Sequence, residues 1–152
     1  MSALEGRPAF PLGIVQSATT FRFTLSRAIA RLIAHLRRAR QAVPEPGQAL
    51  RAVCRAYLDF ATERPALYQA MFVLPTDVKF ASADTPPPLR AAFGEVVSCF
   101  PLDNERRELF AEVTWSALHG MAVLSDSGRI PPDGQEERLD FLVTQIAGSP
   151  AG

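Results

Sequence analysis

His119 stands three residues after Ser116 and four after Trp115 in the run Trp115-Ser-Ala-Leu-His119-Gly120. On a helix, a serine and a histidine three apart could act as a nucleophile and its base. No acid is placed to orient the imidazole, and no strand-turn-helix elbow presents the serine. The chain has only one other histidine, His35, too few for an ordinary His-rich metal site. It also lacks a phosphate-binding loop, a GxGxxG turn, an HExxH pair and a CxxC pair. The sequence therefore reads as non-enzymatic, with no metal and no cofactor. Asp103, Glu105, Glu108 and Glu112 crowd the start of a helix, where carboxylates complement the helix dipole. Cys54 and Cys99 fall in or beside apolar faces and read as buried free thiols rather than a disulfide framework.

What remains is binding chemistry. Four residues apart, Trp115 and His119 are neighbours on one helical face. Two readings are open for them. Trp115 is core and His119 is a buried ring satisfied by a backbone carbonyl, or both rings border a ligand pocket with His119 as its polar handle. Tyr57, Phe60, Tyr68, Met71, Phe72 and Phe93 bear on the same question. Aromatic and methionine side chains at helical spacing are most often core. Their concentration on three successive short helices is the reason to expect a pocket instead. Such a pocket would be apolar, with Tyr57, Tyr68 and His119 as its few polar heads, and would suit a small apolar or aromatic molecule.

The elements that must position these residues are all helices. Leu25, Ala28, Ile29, Leu32, Ile33 and Leu36 repeat at helical spacing from about Thr20, with arginines crowding the other side. Pro44-Glu-Pro46-Gly47 ends that helix and starts one over residues 48–63. Pro65 opens a short helix to about Val73. A long loop, 74–85, leads to Pro86-Pro-Pro88 and a helix bearing Leu89, Phe93, Val96, Val97 and Phe100, closed by Pro101. The stretch 104–125 follows, with Asp103 as its expected N-cap and Gly128 past its end. Asp133 is expected to cap a last helix with Leu139, Leu142, Val143 and Ile146 on its buried face. No segment sustains the period-two alternation of a strand. The expectation is an all-α, antiparallel bundle of about six helices.

The 104–125 helix reads as the one around which the others are arranged, because it is apolar on two sides. Leu109, Phe110, Val113, Ala117, Met121 and Leu124 cover one side. Ala111, Trp115, Leu118, His119 and Ala122 cover much of the other. The short helices before it can wrap only one side. Phe141 likewise lies opposite Leu139 and Val143 on the last helix. Phe110, Ala117, Met121, Leu124 and Phe141 are therefore expected to meet their own copies across a two-fold axis, giving a homodimer.

With 152 residues, 47% of them hydrophobic, the chain can form one domain with a real core. Its zero net charge is uneven. Residues 1–44 hold seven arginines against the single acid Glu5, and the remainder holds nine basic against fifteen acidic residues. No apolar run approaches the ~18 residues of a membrane span, so no membrane contact is expected. Residues 1–20 have no periodicity and read as a flexible leader.

Two stretches carry a family resemblance. Trp115-Ser-Ala-Leu-His119-Gly120 resembles the Trp…His-Gly motif in the C-terminal domain of a subgroup of TetR-type transcriptional regulators. Arg55-Ala-Tyr57-Leu-Asp-Phe60-Ala-Thr-Glu63-Arg-Pro65-Ala-Leu-Tyr68-Gln-Ala-Met71-Phe72 is similar to the Tyr-x-x-Phe-Ala … Pro-x-x-Tyr-x-x-Met-Phe run of that domain. The likeness covers roughly Leu25 to Ala147. It implies that 21–148 is an effector-binding and dimerisation domain in which 21–43 is the connecting helix. It implies a small-molecule sensor in a bacterial cytoplasm that reaches DNA only through an upstream helix-turn-helix domain. No segment of that length precedes the resembling part here, so the chain alone is expected not to bind DNA specifically. Two alternatives stand beside this reading. One is an interaction protein without a helix-turn-helix that heterodimerises with a full-length regulator. The other is a small helical enzyme or carrier using the same apolar pocket.

Overall fold

The computed structural model describes residues 13–72 and 87–148, with side chains from Phe23 onward. Six helices and no strand occur among them: α1 (Gly13–Gln41), α2 (Pro46–Glu63), α3 (Pro65–Phe72), α4 (Pro87–Val97), α5 (Arg107–Asp126) and α6 (Gln135–Ala147). Residues 1–12, most of the expected leader, and the expected loop 74–85 lie outside the described residues.

Prolines set three of the starts. Pro46, Pro65 and Pro87 each occupy the first helical position, where the missing N–H has no intrahelical partner in any case. At the end of α5, Gly128 takes φ 69°. Its left-handed turn brings the Arg129 N–H to the Leu124 carbonyl at 2.8 Å, closing the helix as a glycine at that place should.

Several local expectations are corrected. α1 begins at Gly13, seven residues before Thr20, because nothing between them breaks a helix. Asp103 does not cap α5. The Asn104 side-chain oxygen accepts the Arg106 N–H at 2.9 Å, and this turn delays the helix to Arg107. Asp133 does not cap α6 either; the N-cap position is Gly134, with no side-chain hydrogen bond.

The largest correction concerns the centre of the bundle. α2, not α5, is the helix that the others surround, and it meets every other helix. Nine of its residues are buried, from Ala49 to Ala61, and Val53 and Cys54 are wholly enclosed. Alanines at 49, 56 and 61 let neighbours approach on several sides, which a helix with bulky residues all round would prevent. α5 buries only one side within the chain: Ala111, Thr114, Leu118 and Ala122. Leu109, Val113 and Leu124 on its other side stay exposed.

Leu32 and Leu36 of α1, Leu58 of α2, Leu118 of α5 and Leu139 of α6 are the largest fully buried side chains. Each stabilises the fold by about 1.5–3 kcal/mol through burial. At the surface, Arg51 bonds Glu136 and Asp140, and Arg55 bonds Glu136, linking α2 to α6. Exposed pairs of this kind contribute little each.

Candidate functional site

A cavity of about 770 Å³ opens between α1, α4 and α5. Its walls are Leu32 and Leu36 from α1, Leu89, Ala92, Phe93, Val96 and Val97 from α4, and Leu109 and Trp115 from α5, with Tyr57 and Phe72 completing it. Arg90, Arg107, Glu108 and Glu112 supply its charged margin. The volume and the mostly apolar walls are those of a small-molecule site.

Behind the aromatic wall runs a chain of hydrogen bonds drawn from three helices. Trp115 Nε1–H donates to the Tyr57 hydroxyl at 3.1 Å. The Tyr57 and Tyr68 hydroxyls are 2.8 Å apart, and Tyr68 Oη lies 2.6 Å from His119 Nδ1. Counting protons fixes the direction. Trp115 can only donate. If His119 donated to Tyr68 and Tyr68 to Tyr57, the buried Tyr57 proton would have no acceptor, at a cost of about 1–3 kcal/mol. The satisfied arrangement is Trp115 to Tyr57 to Tyr68 to His119. The imidazole is then neutral, accepts at Nδ1 and carries its proton on Nε2.

The electrostatics agree. Burial holds His119 below the usual histidine range, which favours the neutral ring. Burial pushes both tyrosine hydroxyls well above the ordinary phenol range, so they remain protonated donors. The rings reinforce the network. Tyr57 and Tyr68 meet edge to face at 5.8 Å, and Phe72 lies within 6.2 Å of Trp115 and of His119. Trp115 and Tyr57 thus face the cavity with their polar atoms already engaged with each other, and the wall they form is fixed in place.

His119 has a lowered folded-state pKa, so its contribution to stability is full above the unfolded value near 6.5 and is lost as pH falls below it. Protonation also removes the acceptor for Tyr68. Between pH 7.5 and 5 the wild-type melting temperature should fall more steeply than that of His119→Asn, whose amide oxygen stands where Nδ1 does and accepts from Tyr68 at every pH. Parallel curves would show that His119 does not titrate in the network.

Of the eight residues expected around a pocket, Tyr57, Phe72, Phe93 and Trp115 border the cavity. Tyr68 and His119 stand one layer back, joined to it through the hydrogen bonds. Phe60 and Met71 are buried in the core and do not line the cavity. Sequence reasoning left out Leu32, Leu36 and Leu89, which looked like ordinary core. It also missed Glu95, a buried carboxylate whose sign in the sequence is that it is the sole acid of α4.

The expected dimer-face residues lie away from this cavity. Phe141 is 68% exposed and Leu124 39%. Met121 and Phe141 share a shallow groove of about 450 Å³ between α5 and α6. Ala117 is half-buried. Phe110 is half-buried too, its ring 5.8 Å from that of Phe100.

Cys54 and Cys99 are both buried and free. Burial pushes the Cys54 thiol up to about 12 and that of Cys99 to about 11, so neither supplies a thiolate nucleophile near neutral pH. No group of three or more His, Cys, Asp or Glu among the described residues is arranged to hold a metal ion. No described helix is long and apolar enough to cross a membrane.

An all-helical bundle with an apolar cavity between its helices, and a second apolar face left open on its last two, is the build of a ligand-binding domain. Residues 50–146 match the model of the tetracyclin repressor-like, C-terminal domain family, and the chain belongs to that family. Domains of this family serve transcriptional regulators in ligand binding and dimerisation and are in general not enzymes. No curated protein and no solved structure matched the chain.

Proposed function

We propose that the cavity between α1, α4 and α5 receives a small apolar or aromatic effector, and that the domain reports its occupancy as part of a homodimeric regulator in the bacterial cytoplasm. The cavity itself carries this reading. It is apolar over most of its wall, large enough for a drug-sized molecule, and braced by a hydrogen-bond chain that takes up the donors of Trp115 and Tyr57. A ligand therefore gains chiefly from apolar contact and ring stacking, and polar selection falls to the charged margin. Binding would act by population shift, favouring whichever arrangement of α1 accommodates the ligand.

Trp115 is the only tryptophan and lines the cavity, so its emission reports entry. A panel of apolar and aromatic compounds should contain some that raise the melting temperature. Each of those should also shift or quench Trp115 emission and be recovered unaltered afterwards. If every stabilising compound left the emission unchanged, the effector would bind elsewhere. Conversion of the compound would favour an enzyme or carrier instead.

A further inference from the structure

Glu95 is the most deeply buried charge among the described residues, 5% exposed, and it belongs to α4, which gives the cavity wall more residues than any other helix. Its two carboxylate oxygens are held by two arginines of α1. Arg37 Nε lies 2.9 Å from Oε1 and Arg40 Nε lies 2.9 Å from Oε2. The carboxylate is thus compensated on both sides, as a buried charge must be, and the arginine heads reach it from a half-exposed and a partly exposed position.

The position of this clamp along α1 matters. Of the two α1 residues in the cavity wall, Leu36 directly precedes Arg37 and Leu32 lies five residues before it. α1 contains no proline and no glycine after Gly13, so nothing in its sequence interrupts it as one rod. At ~1.5 Å per residue, Leu32 is roughly 9 Å from the clamp and Gly13 roughly 38 Å. A ligand wedged between α4 and Leu32 would push α1 at the short arm of a lever whose fixed point is Glu95.

We infer that Glu95, gripped by Arg37 and Arg40, is a positioning residue that ties the cavity wall on α4 to the end of α1 and makes it the pivot for ligand-driven movement of that helix. This rests on the cavity reading above. Any push of about 1 Å at Leu32 becomes about 4 Å at Gly13 by the ratio of the arms. Loss of the clamp lets the two helices slide instead, so that filling the cavity no longer turns α1.

The test uses N-phenyl-1-naphthylamine, a neutral apolar fluorophore that accepts energy from tryptophan. Cysteines placed at Ser26 and Thr62, both exposed, carry nitroxide labels, and the buried Cys54 and Cys99 stay unlabelled. Labelled protein is diluted into unlabelled protein so that distances within one chain are read. In the wild-type background, probe binding seen by energy transfer from Trp115 should shift the label distance. In Glu95→Gln the probe should still bind, while the shift falls to less than about a third. Should that variant not fold, Arg37→Met keeps the Arg40 bond and should about halve the shift. An undiminished shift in a folded clamp variant overturns the inference, as does a bound probe that moves nothing in the wild type. A probe that does not enter the cavity removes the cavity reading, and the inference with it.

Discussion

Met121→Glu is expected to abolish pairing of two copies, or to unfold a chain that cannot exist unpaired. In the proposed dimer, Met121 lies within the open side of α5, with Val113, Ala117 and Leu124, and shares a groove with Phe141 of α6. A carboxylate there would be desolvated without a partner, at about 3–5 kcal/mol for each copy. A two-fold interface contains the residue twice, so the loss in dimer affinity should exceed about a thousandfold. Phe141→Asp should do the same. Leu102→Glu, at a residue 87% exposed in the α4–α5 connection, should not. Light scattering after size exclusion decides between them. A well-folded wild-type monomer at micromolar concentration would remove the homodimer from the proposed function and leave the open face to another partner, such as a full-length regulator.

The second large effect is expected at Tyr57. Truncation to Ala removes a ring that is 2% exposed and should cost about 3–5 kcal/mol, as for other large aromatic truncations. The milder Tyr57→Phe keeps the ring but deprives the Trp115 N–H and the Tyr68 oxygen of their partner. That change should cost about 1–3 kcal/mol. Trp115→Phe in the same background should cost less than it does alone, because the bond to Tyr57 that it would break is already gone. A coupling of about 0.5–3 kcal/mol between the two positions is the signature of one network. Strict additivity in denaturant unfolding would mean that the 3.1 Å contact contributes nothing to stability. Trp115 emission should also change in Tyr57→Phe, since its indole N–H loses a fixed acceptor.

The polar margin is where the effector's finer identity would be decided. Arg90, Arg107, Glu108 and Glu112 stand at the cavity edge and present both signs of charge. An effector with an apolar body and one polar end fits this distribution better than a compact polar metabolite, which would leave the leucine and phenylalanine walls unmatched.

Much of this protein was legible along the chain because it depends on neighbours in sequence. Pro46 and Pro65 mark helix starts since a proline lacks only an N–H that the first turn does not use. Gly128 marks a helix end since the left-handed turn there suits a residue without a side chain. Spacing at three and four residues showed that α5 is apolar on two sides, and that Trp115 and His119 share a face. The motif resemblance supplied the family, which residues 50–146 then matched. Tertiary structure alone decided which side of α5 the chain covers and which helix it surrounds. Spacing describes the surface of each helix but not the distance to another. It decided equally that Tyr68 reaches His119 across 51 positions, that Trp115 reaches Tyr57 across 58, and that Glu95 meets Arg37 across the same separation. A hydrogen bond between distant residues forms only where packing of the whole bundle brings donor and acceptor within about 3 Å. No local pattern encodes that, because every helix in between must first be in place.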